Sequence, residues 1–282
     1  MNINASSLFH FTNCIDNLCS ILENGLRFSF CEEIYPQTLI FNHLNPNKST
    51  DFFINNQYPT TIGIPMISFC DIPLARINKH TNKYGSFGIG FNKEFLISLY
   101  KGFLNPIFYV NNYNIDYALV CLSQFKSQKI IEGGNCNGNS TNDKSVKFVN
   151  SLISYVKPYY RKNTDGKIEI LYDEREWRIV YPDGLRKGFQ WIWDTREKTI
   201  DEANKYLHST ENPYMDILEG CNGYWLNQYI TNIIVSKNSE KSIIIDMILK
   251  SKKILGIKNI SIYDKYELIG KVISLEQIEN DF

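Results

Sequence analysis

Polar and apolar positions alternate through SLFHFT, residues 7–12, so Leu8, His10 and Thr12 share one side of a strand and Phe9 and Phe11 the other. The period then lengthens: Ile15, Leu18, Cys19 and Leu22 recur at helical spacing, with Asn13 at the N-cap, Asp16 in the first turn and Gly25 at the close. A strand, a tight turn and a helix of about three turns are predicted.

Residues 29–61 lack a pattern, carry Pro36, Pro46 and Pro59 among many Asn, and read as a long surface excursion. The run TIGIPMISFCDIP, residues 61–73, is a mostly apolar strand, in which Pro65 suggests an edge or a bulge. A short helix over 74–85, a strand over 86–91, a helix over 93–102 and a strand over 105–110 follow. Residues 116–131 read as helix, 132–145 as a low-complexity loop, and 146–157 as a helix ending at Pro158. KIEILYDEREWRIVYP, residues 167–182, alternates like a long strand or hairpin; 229–236, 242–255 and 259–266 read as strand, helix and strand. Strands both adjacent in sequence and separated by helices indicate an α+β fold.

The 282 residues admit one large domain or two small ones, and 43% hydrophobic and 14% aromatic residues support a sizeable core. Thirty basic residues balance thirty acidic ones, so no global field draws the chain to nucleic acid or anionic lipid. Seven cysteines without CxxC spacing read as reduced thiols, which favours the cytoplasm. Neither a leader pattern nor a membrane-spanning run is expected, and the absence of HExxH or paired CxxC predicts no metal.

Four stretches could carry chemistry. His10 and Thr12, two apart on a strand, can hold ribose hydroxyls, although a half-buried His satisfied by backbone groups fits the same spacing. In YDEREWRIV, residues 172–180, alternation places Glu174, Glu176 and Arg178 on one face. Two close carboxylates raise one pKa while Arg178 favours charged Glu176; an exposed, salt-bridged strand is the alternative. YGSFGIGF, residues 84–91, brings glycines near Tyr84, whose ring could stack on a planar ligand, or is simply a glycine-rich strand edge. ISYVKPYYRKN, residues 153–163, interleaves Lys157, Arg161 and Lys162 with tyrosines, as single-stranded nucleic acid prefers and as a solvated helix end also would.

LFHFTNCIDNLCSILENGL resembles the start of DarT-like DNA ADP-ribosyltransferases at His10, Thr12, Asn17, Leu18, Ile21, Leu22, Gly25 and Leu26. IPMISFCDIPL, YGSFGIGFNKEF, NPIFYV and EREWR resemble the AbiGi family of abortive phage-resistance proteins, the antitoxin side of that system. Together the resemblances imply one ADP-ribosyltransferase-like domain over residues 1–282, with split mixed or antiparallel sheets, flanking helices and a flexible loop at 132–145. They imply NAD as substrate, gripped by His10 and Thr12 with Asn17 and Arg178 beside it, Ser68 or Tyr84 in a middle role, and Glu176 as the catalytic carboxylate. Breaking the nicotinamide–ribose bond builds oxocarbenium character that a fixed carboxylate stabilises, and Glu174 would take the acceptor's proton. A proline- and arginine-rich stretch that follows the opening helix in DarT-like enzymes is not found here. Two functions follow as expectations: a mono-ADP-ribosyltransferase of anti-phage defence acting on a nucleic-acid or protein acceptor, or a non-catalytic antitoxin that restrains a partner toxin encoded nearby.

Overall fold

The computed structural model describes residues 5–35, 60–100, 103–111, 154–162, 165–181, 193–194, 199–210 and 223–281. They form an α+β arrangement around one mixed sheet of nine strands. The main path runs β15 (Val272–Ser274), β12 (Ile230–Val235), β4 (Phe87–Asn92), β1 (Ser7–Thr12), β3 (Thr60–Cys70), β10 (Glu176–Val180) and β5 (Leu104–Pro106). β12 and β15 pair in parallel and the other strands of the sheet antiparallel, while β13 (Lys253–Ile254) and β14 (Ile257–Lys258) form a separate antiparallel ribbon.

β3 is the spine. On one flank it pairs with β2 (Ser29–Tyr35) and then β1, on the other with β11 (Trp193–Asp194) and then β10. Directly paired residues point to the same face, and the face alternates along each strand. The register therefore puts Phe9, Cys70 and Glu176 on one side, with Phe11, Ser68, Arg178 and Glu33; His10, Phe69 and Trp177 lie on the other.

The His10 side carries the main apolar core. Leu8, Ile67, Phe69, Ile89, Phe91 and Ile179 meet Leu18 and Leu22 of α1 (Ile15–Asn24), and farther helices add Leu207, Leu226, Ile244 and Leu268. On the opposite side a smaller cluster joins Phe9 and Ile234 to Ile72, Ile77, Leu275 and Ile278. β1 is thus covered on both sides at Leu8 and Phe9, not on one.

The opening strand–turn–helix matches expectation, with one shift. The N-cap is Cys14, which makes no side-chain cap bond, while Asn13 instead accepts from Asn17 across 3.2 Å. Asp16 sits in the first turn and Gly25, at φ 92, closes the helix. Helix α2 (Asn78–Tyr84) ends at Gly85 (φ 105), where an added Cβ would stand 2.1 Å from the Thr12 carbonyl oxygen; only glycine lets the chain pass β1 so closely. α3 (Lys93–Leu99) starts at Asn92, whose side chain accepts from the Phe95 amide at 3.0 Å.

Six expectations are corrected. Residues 29–35 form β2, not an excursion. Pro65 lies in the central strand: its carbonyl accepts from the Tyr181 amide at 2.9 Å just past the end of β10, so the missing N–H falls where that neighbour stops. Residues 154–162 build β7 (Val156–Pro158) and β8 (Tyr160–Lys162), not the end of a helix. The long strand over 167–182 is broken: β9 (Ile168–Ile170) gives way to a 3₁₀ turn, Leu171–Glu174, and a left-handed Arg175 (φ 44) before β10 begins. Finally, residues 259–266 fall largely in a helix, Ile262–Ile269, because Ser261 and Asp264 form a capping box. The strand over 105–110 is divided into β5 and β6 (Phe108–Val110). The helix expected over 116–131 and the loop over 132–145 lie outside the described residues.

Candidate functional site

Three strands and a turn deliver charged side chains to one place. Arg178 from β10, Glu33 from β2 and Lys157 from β7 meet Glu176 at the start of β10 and Glu174 at the end of the 3₁₀ turn. All five are buried; Arg178 is 0% exposed, and arginine is among the residue types almost never fully buried unless paired.

The Arg178 guanidinium holds Glu176 side-on, Nε to Oε1 at 2.5 Å and Nη2 to Oε2 at 3.0 Å, donates to the Ser154 carbonyl at 3.0 Å, and pairs with Glu33. Its five donors in a rigid fork suit this better than a lysine would. Lys157 Nζ reaches Glu174 at 2.8 Å, Glu176 at 2.9 Å and Glu33 at 3.8 Å. From Glu174 the chain continues outward: Lys83 of α2 bridges Glu174 and Glu169, and Arg161 holds Glu169 at 2.6 Å, at the surface.

The electrostatics follow from these neighbours. Burial alone pushes the Glu176 carboxyl up, but Arg178 and Lys157 outweigh it and bring it down to about 2. Glu174 is likewise lowered, burial being overcome by Lys157, Lys83 and the Tyr84 hydroxyl. Burial favours neutral Lys157, yet Glu33 and Glu176 raise its pKa. Tyr84 is raised by burial and by Glu174, and Cys31, against the same cluster, is pushed up by burial to about 12. Glu174 and Glu176 are therefore ionised and hydrogen-bonded near neutral pH, and Cys31 stays a thiol.

This geometry partitions the candidate residues. Ser68, Tyr84, Glu174, Glu176 and Arg178 lie on or against the charged face: Ser68 pairs with Arg178 across β3 and β10, and Tyr84 bonds Glu174. His10 faces the α1 side; its Nδ1 meets the Ser68 carbonyl at 2.9 Å and its ring makes an edge contact with Phe69 at 6.1 Å. Burial lowers its pKa, so the ring is neutral. Thr12 shares the His10 face and Asn17 is exposed on α1. His10, Thr12 and Asn17 are thus not brought to Glu176.

Lys157, Glu33 and Lys83 were not among the expected site residues. Lys157 sat in a stretch read as a basic helix end, and Glu33 in a segment read as patternless. Their signal is the charge itself: a glutamate inside an otherwise alternating SFCEEIY and a lysine between Val156 and Pro158 need distant partners once strands form. Among the described residues no group of three or more His, Cys, Asp or Glu could hold a metal ion, and no helix is long and apolar enough to cross a membrane.

Comparison with known proteins points in one direction. The model of the family described as "Putative abortive phage resistance protein AbiGi, antitoxin" matches residues 39–211, which include Ser68, Lys83, Tyr84, Lys157, Glu174, Glu176 and Arg178. The abortive phage resistance protein AbiGi of Lactococcus lactis subsp. cremoris is 26% identical over 246 residues, 78% of this chain and 89% of that protein. No solved structure matches.

Proposed function

Because the chain belongs to the AbiGi family of abortive phage-resistance proteins, we propose that it acts there as the restraining, antitoxin-like component, binding a partner toxin and performing no transfer chemistry. The observation that carries this reading is the state of Glu176. Its carboxylate accepts from Arg178 twice and from Lys157 once, and it is 7% exposed. A carboxylate offers about four lone-pair sites. One that must receive a ribose hydroxyl and face an oxocarbenium ion needs capacity and access, and this one has most of its acceptor sites and nearly all its access taken up in holding β7 to β10. The residue expected to grip NAD, His10, is on the other side of the sheet.

A second reading retains support from the Glu174–Tyr84 bond and from Ser68 on the same face. In it, NAD is bound on the charged face, Glu176 and Glu174 act at the ribose and the acceptor, Ser68 and Tyr84 position the nicotinamide half, and His10, Thr12 and Asn17 are structural. The acceptor would be nucleic acid or protein.

One experiment separates the two. The chain is co-expressed with the product of the adjacent gene, and in parallel incubated with labelled NAD and a lysate from phage-infected cells. Tyr84→Phe and Ser68→Ala serve as site variants, since they spare the buried ion pairs that Glu176→Gln would break. A stable complex, protection retained by both variants and no transferred label are expected. Label transferred by the wild type and lost in Tyr84→Phe would replace the first reading by the second.

A further inference from the structure

Helix α2 is held over the carboxylate pair in a way that differs from the other described α-helices around the sheet. Its buried described side chains are polar, His80 and Thr81, and the apolar anchor, Ile77, precedes it. It is fastened instead by charge and hydrogen bonds: Lys83 pairs with Glu169 and Glu174, and the Tyr84 hydroxyl bonds Glu174. His80 bonds the Asp173 backbone and stacks on Tyr84 at 6.3 Å, but its Nδ1 is buried with no hydrogen-bond partner among the described residues.

Two physical consequences follow. An element with little buried apolar surface opens at low free-energy cost compared with the sheet it rests on. An unmet buried nitrogen makes the closed position less favourable still, because opening returns it to water. The Lys83 side chain is 33% exposed, so salt reaches its ion pairs, whereas Lys157 and Arg178 beneath are nearly or wholly out of solvent.

We propose that α2 is a salt-sensitive strap, latched by Lys83, whose release uncovers Glu174 and the edge of β10 while Lys157 and Arg178 keep the inner ion pairs closed. This holds under either reading of the function, since it concerns access to the charged face and not what uses it. With the strap open, the face offers a cationic partner group the Glu174 carboxylate oxygen that Lys83 had held, while Lys157 keeps the other oxygen.

Amide hydrogen exchange read by mass spectrometry tests it on the full chain. In Lys83→Met, peptides covering 78–84 and 171–176 are expected to exchange about three- to tenfold faster, the loss of one partly exposed double ion pair, with β1 and α1 unchanged. Glu169→Gln, which removes only the outer arm, gives a smaller increase in the same peptides. Raising salt to about 1 M, where screening acts within roughly 3 Å, reproduces the effect in the wild type and adds nothing in Lys83→Met. Protection in 78–84 that is indifferent to Lys83→Met and to salt overturns the proposal. So does protection that falls together with that of β1, which would mean the helix opens only when the whole fold does.

Discussion

The two faces of the sheet around β3 are closed by opposite means. On the α1 side Leu8, Leu18, Leu22, Phe69, Ile89 and Ile179 exclude water by apolar burial, which is non-directional and roughly proportional to area. On the other side, where β2, β3 and β10 run together, Glu33, Glu174, Glu176, Lys157 and Arg178 fill the space with charge. The first arrangement degrades by degrees: a smaller side chain leaves a cavity and neighbours relax into it. The second fails by loss of a single member, because the partner left behind is an unpaired charge out of solvent. The same sheet therefore carries one face tolerant of substitution and one that is specified residue by residue, and the specified face is the one that falls largely within the family-matched segment.

The largest effect should come from breaking the charged face at its centre. Arg178→Met leaves Glu33 and Glu176 buried without their guanidinium and is expected to cost about 3–5 kcal/mol in urea unfolding at neutral pH. Leu22→Ala, fully buried on the apolar face, is expected to cost about 2–5 kcal/mol. The totals overlap, and the distinction lies in pH: the Arg178→Met penalty shrinks on acidification, as its orphaned carboxylates become neutral, while the Leu22→Ala penalty does not. Equal pH profiles for the two variants would erase the contrast between the faces.

Acid alone sharpens the comparison in the wild type. Glu176 is lowered from 4.5 to about 2 on folding, so its ion pairs contribute stability that is fully present above about pH 4.5 and is lost as pH falls through about 2. A loss on the order of 3 kcal/mol is expected between those limits, with Glu174, lowered for the same reason, adding in the same direction. Urea midpoints should be level from pH 7 to 5 and then descend. A midpoint that holds down to pH 3 would mean that the cluster is less tightly paired than its geometry indicates.

These contrasts also explain what could be read from the chain beforehand. The apolar face was legible: the alternation of residues 7–12 and the helical spacing of Ile15 to Leu22 report burial that each segment carries in its own pattern. β2 was not, because Glu33 occupies an inward position that looks like a break in the alternation until Arg178, 145 residues later, supplies its partner. Lys157 misled for the same reason. The site was legible as far as local chemistry went: Glu174, Glu176, Arg178, Ser68 and Tyr84 do share a face. His10, Thr12 and Asn17 were joined to them by resemblance, and register separates them. Only the helix over 262–269 carried a missed local signal, the Ser261 and Asp264 capping box.

The smallest effect tests how the two carboxylates are aligned. Perfect alternation would have put Glu174 and Glu176 on one face of a continuous strand, but here the 3₁₀ turn ends at Glu174 and Arg175 adopts φ 44, with its carbonyl accepting from the Asp71 amide at 3.0 Å. A left-handed non-glycine residue costs roughly 1–2 kcal/mol, and glycine removes that while adding about 0.5–1 kcal/mol of unfolded-state entropy. Arg175→Gly is therefore expected to stabilise the chain by about 0.5 kcal/mol, with the acid transition of the Glu176 pairs unmoved. If Arg175→Gly instead destabilises, the arginine side chain contributes to the charged face directly. The boundary between that face and the exposed ribbon of β8 and β9 would then have to be redrawn to include it.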